Sequence, residues 1–328
     1  MPAARAGPPR PPPLQSGNGN RPVHTGQATL SATLLFHPSP DAVYGFPHAS
    51  LIERVDSPYQ RIEVWDTRQL GRLFTLDGRP MTSAGDEFIY HECMVHPAAL
   101  AHPSPKAALV LGGGDGGAAR QLLAHPGIER IAVAELDAQV VRLTREHMPE
   151  VHGGALDDPR VELVIGDAAH YVAAAAAAPF APSPPFARFD LIVFDLTPPD
   201  SPAAGLYTTA FYGQLKRVMS PNAVLSVHLG SPYFHAERIA RLLDDLRSAF
   251  AVVRTMSTFV PLYGSLWMMA TASDTLDPAA LPADALAERL ASRGIVALRH
   301  YGATAHAGLF SVSPSVHGKL GQFLKPSS

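Results

Sequence analysis

The sequence predicts an α/β protein in which a small antiparallel sheet precedes a doubly wound, largely parallel sheet. Short apolar runs alternate with helical segments from residue 107 to about residue 272, a spacing typical of repeated strand–helix units. Between residues 50 and 82 the pattern shortens to strand-like alternation with a hairpin turn at Asp77-Gly78. A glycine-rich turn follows the apolar run at residues 107–111, at the sheet edge where such proteins bind ligands.

Composition limits the classes of partner. The 328 residues are 46% hydrophobic and 17% charged, with a net charge of −3, which is typical of one large globular domain plus a smaller one. No run of lysine and arginine could follow a phosphate backbone, so we expect no nucleic-acid partner. No stretch reaches the roughly 18–20 apolar residues of a membrane helix. The single cysteine, Cys93, excludes an intramolecular disulfide and a thiolate-rich metal site.

Three segments divide the chain. Residues 1–45 are proline-rich with no acidic residue before Asp41, and we expect a disordered tail. Residues 46–103 are expected to form an N-terminal β-sheet domain, with strands at 61–65 and 71–76 and a linking helix at 86–100. Residues 104–328 are expected to form the catalytic α/β domain, onto which residues 275–325 pack back. Its expected strands are 107–111, 130–136, 161–165, 189–194, 223–229, 251–256 and 266–272, and its expected helices are 118–123, 138–147, 168–178, 209–219 and 236–250.

The glycine turn indicates the charge of the ligand. Gly112, Gly114 and Gly117 satisfy the G-x-G-x-x-G pattern of dinucleotide sites. Asp115 lies inside the turn, however, where its carboxylate would repel a pyrophosphate approaching the helix N-terminus. A cationic ligand meets no such repulsion, and the sulfonium of S-adenosylmethionine or of its decarboxylated form fits this site.

Acidic residues follow four successive strands of the predicted sheet. They are Asp115, Glu135, Asp167 and Asp195. Each alone is better explained by a helix cap or a surface charge, but together they predict a negative crevice at the carboxyl edge. Glu135 is spaced to accept the ribose hydroxyls, Asp167 to accept from an adenine amino group, and Asp195 to meet the attacking group of a second substrate.

These motifs, with several others, resemble the polyamine aminopropyltransferases, the spermidine synthase family, over about residues 50–320. The glycine–aspartate turn is far more distinctive than a lone G-x-G-x-x-G pattern. The matching stretches are Ser57-Pro58-Tyr59-Gln60, Leu76-Asp77-Gly78, Asp86-Glu87-Phe88-Ile89-Tyr90-His91-Glu92, Leu111-Gly112-Gly113-Gly114-Asp115-Gly116-Gly117, Glu135-Leu136-Asp137, Asp158-Pro159-Arg160-Val161, Gly166-Asp167-Ala168, Leu206-Tyr207-Thr208, Gly230-Ser231-Pro232, Tyr263 and Leu298-Arg299-His300-Tyr301.

The resemblance implies a methyltransferase-like (Rossmann-like) domain that transfers an aminopropyl group to a polyamine and releases methylthioadenosine. Decarboxylated S-adenosylmethionine would be the co-substrate, and the resemblance implies neither a prosthetic group nor a metal. It further implies a cytoplasmic homodimer or homotetramer.

The resemblance also implies roles by position. Asp115 would hold the propylamine of the donor and repel the carboxylate of S-adenosylmethionine. Asp195 would be the base or electrostatic anchor for the acceptor amine, whose pKa near ~10 must be overcome before attack. The remaining donor contacts would be Gln60, Gly112, Gly114, Glu135, Gly166 and Asp167, and the remaining acceptor contacts Tyr90, His91 and Tyr263.

The acceptor side departs from the family pattern. Asp195-Leu196-Thr197-Pro198 lacks the second carboxylate that the family uses on the acceptor amine, and Asp200 is a candidate substitute. Met81 and His228 stand where glutamines are common. The sequence therefore leaves the acceptor amine open.

The histidines and the acidic crevice also bear on other chemistries. His91 and His96 are one residue too far apart for H-E-x-x-H, so they do not share a helix face and we expect no metal site. Two alternatives to aminopropyl transfer remain: a methyltransferase acting on a cationic small molecule, and a non-catalytic polyamine or nucleoside sensor that lost its acceptor site.

Overall fold

The N-terminal part is a five-stranded antiparallel meander. The computed structural model describes residues 32–177 and 188–325. One two-residue hairpin turns at Asp77 and Gly78, which both have positive φ (50° and 75°), as expected of the turn that matches strand twist. The strands lie in chain order: β1 (Ala32–Ser39), β2 (Ala42–Asp56), β3 (Arg61–Thr67), β4 (Gly71–Leu76) and β5 (Arg79–Ser83).

The predicted disordered tail at residues 1–45 was wrong for its last part. Residues 32–45 contain β1 and the start of β2. Leu34 and Phe36 are buried and pack with Phe46, because alternate apolar residues of β1 point into the small sheet's core. The proline-rich surroundings hid this short alternation. The rest of the predicted tail, residues 1–31, lies outside the described residues.

The second sheet has seven strands and is mostly parallel. Five neighbouring strands pair in parallel, and two antiparallel strands extend one edge. Its strands are β6 (Ala107–Gly112), β7 (Arg130–Glu135), β8 (Val161–Ile165), β9 (Phe189–Asp195), β10 (Met219–Gly230), β11 (Val252–Val260) and β12 (Ser265–Ser273), in the order β11-β12-β10-β9-β6-β7-β8.

Helices cover both faces of this sheet. Leu109 and Leu111 of the central strand β6 belong to one buried cluster, and Ala108 and Val110 belong to the other, as expected of a strand buried on both faces. The helices are α1 (Glu87–Ala101), α2 (Gly117–Leu123), α3 (Ala138–His147), α4 (Pro149–His152), α5 (Ala168–Ala177), α6 (Thr209–Val218), α7 (Ala236–Ala249), α8 (Ala283–Ser292), α9 (Ala303–Leu309) and α10 (Pro314–Gly321).

The C-terminal segment packs back onto the domain, as predicted. Arg293 donates to the carbonyl oxygens of Ala99 and His102 at 2.7 and 2.8 Å, and Arg289 donates to that of Ala101 at 3.0 Å. These guanidinium groups satisfy carbonyls that the end of α1 leaves without intrahelical partners. Among the described residues, no helix is long and apolar enough to cross a membrane.

Candidate active site

The site lies where the strand order of the large sheet reverses. The strands β6 and β9 are neighbours, but the chain continues from β6 toward β7 and from β9 toward β10, so the two loops diverge in opposite directions. Gly112 at the end of β6 is in register with Asp195 at the end of β9. Such switch points form a crevice at the carboxyl edge of an open sheet. Gly112 has a φ of +77°, and a Cβ there would collide with the backbone oxygen of Asp195. The glycine therefore lets the two loops lie side by side, joined by a hydrogen bond from Gly113 N to Asp195 O at 3.0 Å.

A cavity of about 300 Å³ opens at this switch point, with walls from both sheets. Most of the residues that the sequence predicted for the site line it. Gly166 does not: its N–H donates to the Glu135 carbonyl at 2.8 Å in the turn after β8. His91 also lies off the wall, behind the carboxylates. The predicted residues on the wall are Gln60, Tyr90, Gly112, Gly114, Asp115, Glu135, Asp167, Asp195 and Tyr263.

Asp115 is held rigidly by both of its oxygens. Its Oδ1 accepts from the backbone N–H of Gly117 at 2.9 Å, and its Oδ2 accepts from the hydroxyl of Thr82 at 2.5 Å. Thr82 lies on β5, so the small sheet supplies one partner of the central carboxylate. Sequence reasoning missed Thr82, because nothing local indicates that β5 reaches across to the glycine turn.

His91 lies directly behind the two loop carboxylates. Its Nε2 is 3.7 Å from Oδ2 of Asp115 and 3.7 Å from Oδ2 of Asp195. Its Nδ1 donates to Oε2 of Glu87 at 2.8 Å, and Glu87 also accepts from Arg120 at 2.5 Å. Within the described residues, neither His91 Nε2 nor Asp195 Oδ2 has a hydrogen-bond partner. Asp195 itself lines the cavity, where its carboxylate can receive a cationic group.

The charges of this cluster determine what it can bind. Burial would lower the pKa of His91, but Asp115, Asp195 and Glu87 around it raise that pKa well above its usual value. Burial raises the pKa of Asp115, and the His91 imidazolium opposes that rise. Three carboxylates therefore surround two cations, His91 and Arg120. The floor of the cavity keeps a net negative charge and favours an organic cation.

Glu135 forms the opposite wall of the glycine turn. Its carboxylate accepts from the N–H of Gly114 at 3.0 Å and from that of Asp137 at 2.9 Å. Burial nevertheless raises the pKa of Glu135 to about 7. The exposed Asp167 lies on the next strand end, where it accepts from the N–H of Ala169 at 2.7 Å.

Gln60 reaches the cavity from the loop between β2 and β3. Its side-chain amide donates to Oδ2 of Asp137 at 3.2 Å, and Ser57 donates to the same oxygen at 2.6 Å. Asp137 also caps α3 by accepting from Gln139 N at 2.9 Å. These bonds join the small sheet to the edge of the large one.

Aromatic rings enclose the cavity beyond Asp195. Tyr263 and Trp267 have ring centroids 4.2 Å apart, and Tyr90 lies 6.2 Å from Tyr263. The His228 imidazole stacks on Trp267 at 6.0 Å with a 14° interplanar angle. We call these four residues the aromatic wall. Trp267 packs against two of the buried clusters and also lines the cavity.

Comparisons with known proteins identify the family of this chain. The family model described as the spermine/spermidine synthase domain matches residues 87–280. The polyamine aminopropyltransferase of Nitrosomonas europaea is 43% identical over 87% of this chain and 84% of its own length. That of Moorella thermoacetica is 36% identical over 85% and 92%. The chain belongs to the spermine/spermidine synthase family.

Solved structures support the same conclusion. A spermidine synthase crystallised in complex with the transition state analogue AdoDATO gives a TM-score of 0.79 at 27% identity, over 89% of this chain and 95% of that chain. The spermidine synthase from Thermotoga maritima gives 0.78 at 27% identity, with the same coverage. Family membership confirms the resemblance and the fold predicted from the sequence, and it makes the protein a transferase.

The structure argues against Asp200 as a substitute for the missing family carboxylate. Its Oδ1 lies 2.9 Å from a guanidinium nitrogen of Arg79 and 3.4 Å from one of Arg238. Asp200 is not among the described residues that line the cavity. The family's second acceptor carboxylate thus has no evident replacement here, and Pro198 occupies that part of the wall.

Among the described residues two groups of side chains have the spacing of a metal site: Glu53, Glu146 and His147 away from the cavity, and a second group at it. Single ligand atoms of His91, Asp115 and Asp195 lie within 4.8 Å of one another. A metal would need a lone pair on His91 Nε2, whereas the surrounding carboxylates favour the protonated imidazolium. The arrangement therefore suits an ammonium group held by carboxylates better than a metal ion.

Proposed function

We propose that this enzyme transfers the aminopropyl group of decarboxylated S-adenosylmethionine to an amine of a polyamine and releases methylthioadenosine. The observation that carries the proposal is the pair of carboxylates Asp115 and Asp195. Asp115 lies in the loop after β6, and Asp195 is the last residue of the neighbouring strand β9, at the sheet's switch point. Each has a carboxylate oxygen 3.7 Å from His91 Nε2. One carboxylate can hold the donor's ammonium while the other receives the acceptor amine. Family relatives named polyamine aminopropyltransferase support this assignment.

Asp115 is proposed to select the donor. Its carboxylate, fixed by Thr82 and Gly117, pairs with the primary ammonium of the aminopropyl group. S-adenosylmethionine carries an additional carboxylate next to that ammonium. This carboxylate would approach a buried like charge and lose its hydration. The protein therefore favours the decarboxylated donor over a methyl donor.

The remaining donor contacts follow from the wall of the cavity. Glu135 is proposed to accept the ribose hydroxyls, and Asp167 the adenine amino group. Gln60 borders the same part of the cavity, as do Gly112 and Gly114 of the glycine turn. No metal or prosthetic group takes part in this proposal.

The reaction is a displacement at carbon. Asp195 accepts a proton from the acceptor ammonium, which leaves a lone pair on nitrogen. That nitrogen attacks the aminopropyl carbon bonded to sulfur, a C–N bond forms, and the C–S bond breaks. The bonding electrons go to sulfur, so the sulfonium becomes the neutral thioether of methylthioadenosine. The protein contributes alignment of the two substrates and the charges on either side.

Location and assembly remain predictions. We propose that the protein is cytoplasmic and forms a homodimer or homotetramer, on the basis of the family resemblance alone. Light scattering coupled to size-exclusion chromatography measures the assembly directly. A mass equal to one 34.9 kDa chain would contradict it.

Donor selection tests the proposed function. We expect the wild-type protein to bind decarboxylated S-adenosylmethionine at least about 100-fold more tightly than S-adenosylmethionine, because Asp115 attracts one and repels the other. Asp115→Asn should reduce that ratio at least about tenfold, which calorimetric titration of both donors measures. Asp200→Asn is the matched control, because this carboxylate pairs with arginines outside the cavity wall. Equal affinities in the wild type, or an unchanged ratio in Asp115→Asn, would contradict the proposal.

A further inference from the structure

The acceptor half of the cavity offers few negative charges. Among the described residues that line the cavity, the carboxylates are Asp115, Glu135, Asp167 and Asp195. The first three contact the donor in the proposed function, so Asp195 alone remains for the acceptor. Its single carboxylate lines the cavity and is suited to one ammonium group, the one that reacts.

The next carboxylate after Asp195 along the chain is already paired with two arginines. Asp200 pairs with Arg79 at 2.9 Å and with Arg238 at 3.4 Å. Burial would raise the pKa of Asp200, but the two arginines lower it, so the group is a carboxylate in a cluster with net positive charge. This cluster lies two residues beyond Pro198 and repels a second ammonium more than it attracts one.

His228 supplies a neutral polar contact instead of a charge. Its Nε2 lies 2.6 Å from the carbonyl oxygen of Leu196, so Nε2 carries the proton and donates it there. Burial lowers the pKa of His228 to about 4, which keeps the ring neutral. Its Nδ1 is buried and has no hydrogen-bond partner within residues 32–177 and 188–325, and the residue, which is 4% exposed, lines the cavity wall. A lone pair of this kind accepts from an ammonium or from a hydroxyl alike.

We infer that the enzyme recognises its acceptor by one ammonium group only, and that acceptors lacking the second ammonium are used as well as a diamine. The inference rests on the proposed function. Beyond Asp195 an acceptor meets Pro198, Leu206, His228 and the other rings of the aromatic wall. A second ammonium there gives up hydration without an ion-pair partner, so it brings no net gain in binding.

Three acceptors of matched length test this inference. Putrescine, 4-amino-1-butanol and 1-pentylamine differ only in the distal group, which is an ammonium, a hydroxyl or a methyl. Each is supplied with decarboxylated S-adenosylmethionine, and kcat/KM is measured from methylthioadenosine release. We expect the three values to agree within about fivefold, corresponding to less than about 1 kcal/mol. A larger preference for putrescine overturns the inference.

The same assay separates failure of the inference from failure of the proposed function. If methylthioadenosine forms with putrescine but hardly with the other two amines, the inference fails and the proposed function stands. If no amine yields methylthioadenosine, the proposed function fails, and the inference fails with it.

A charge added at Pro198 provides the matched variant. Pro198→Asp should raise the preference for putrescine over 1-pentylamine at least about tenfold, because it places a carboxylate on the acceptor wall. Pro198→Asn has the same shape without the charge and should leave the ratio as in the wild type. Asp200→Asn makes the neighbouring arginine cluster more positive and should not raise the ratio. A Pro198→Asp ratio equal to that of Pro198→Asn overturns the inference.

Discussion

Single residues at the strand ends account for most of the site. The sequence identified Asp115, Glu135 and Asp195 because parallel strands of an open sheet end at one edge. The structure brings them to one cavity. It also shows partners that sequence reasoning did not find, such as Thr82 on Asp115 and Glu87 on His91. The first contact joins β5 to the glycine turn, which no local pattern encodes, whereas the second is an i,i+4 pair within α1.

The pKa of Glu135 gives a prediction for donor binding. Burial raises this pKa to about 7, so the carboxylate gains a proton as the pH falls below neutrality. A protonated Glu135 is a weaker acceptor for ribose hydroxyls and no longer attracts a cationic donor.

The dissociation constant of decarboxylated S-adenosylmethionine should therefore rise below pH 7, by up to about tenfold per pH unit. Fluorescence or calorimetric titration between pH 5.5 and 8.5 measures it. Glu135→Gln should bind more weakly at pH 8 and lack this pH dependence. The same slope in Glu135→Gln and in the wild type would assign the titration to another group.

At the scale of elements, the periodicity of the sequence was sufficient for the parallel strands and most helices. The predicted strand at 161–165 and helix at 138–147 match β8 and α3 residue for residue. The predicted strand at 223–229 is longer in the structure, because β10 already begins at Met219. Helix α1 was expected to be amphipathic, but nearly all of its residues are buried between the sheet, α2 and the C-terminal helices. Because neighbouring elements cover α1 on all sides, its sequence has no exposed polar stripe that would predict how the helix packs.

A buried chain of hydrogen bonds joins three of these elements. Arg293 beyond α8 donates to Nδ1 of His125 at 3.3 Å, and Nε2 of His125 donates to Nδ1 of His96 on α1 at 3.0 Å. Nε2 of His96 donates to Oε1 of Gln121 on α2 at 3.0 Å. This direction follows from the guanidinium and amide ends, and it requires both rings to be neutral. Burial lowers the pKa of His96 to about 4 and that of His125 to about 2.

These two histidines should destabilise the fold in acid. Their pKa values are lower in the folded protein than in the unfolded chain, so the unfolded chain binds more protons below pH ~6.5. Each histidine should lower the free energy of unfolding by about 1.4 kcal/mol between pH 7.5 and 5.5.

Urea denaturation at the two pH values tests this effect. The double variant His96→Gln, His125→Gln should lose about 3 kcal/mol less than the wild type across that interval, even if it is less stable at both values. His317→Gln is the control, because His317 is exposed on α10. An equal loss in the double variant and the wild type would mean that other groups cause the acid sensitivity.

At the scale of the whole molecule, the small sheet completes the active site of the large one. Tyr263 from the large sheet donates to the carbonyl of Met81 on β5 at 2.8 Å. Tyr44 on β2 donates to that of Leu262 at 3.0 Å. The sequence predicted both sheets and their order, but not that β5 would form part of the donor site. The acceptor side was the least predictable part. The effect of Pro198 and His228 on acceptor binding depends on the ion pairs that Asp200 forms with arginines, and the sequence does not show those pairs.

Product analysis tests the central claim, transfer of an aminopropyl group between substrates held by Asp115 and Asp195. The protein is incubated with putrescine and either decarboxylated S-adenosylmethionine or S-adenosylmethionine, and products are identified by mass spectrometry. We expect methylthioadenosine and spermidine in equal amounts from the first donor and no S-adenosylhomocysteine from the second. In Asp195→Asn, the rate of methylthioadenosine formation should fall about 10²–10⁴-fold while the donor still binds. S-adenosylhomocysteine from the second donor, or tight donor binding without any product, would contradict aminopropyl transfer.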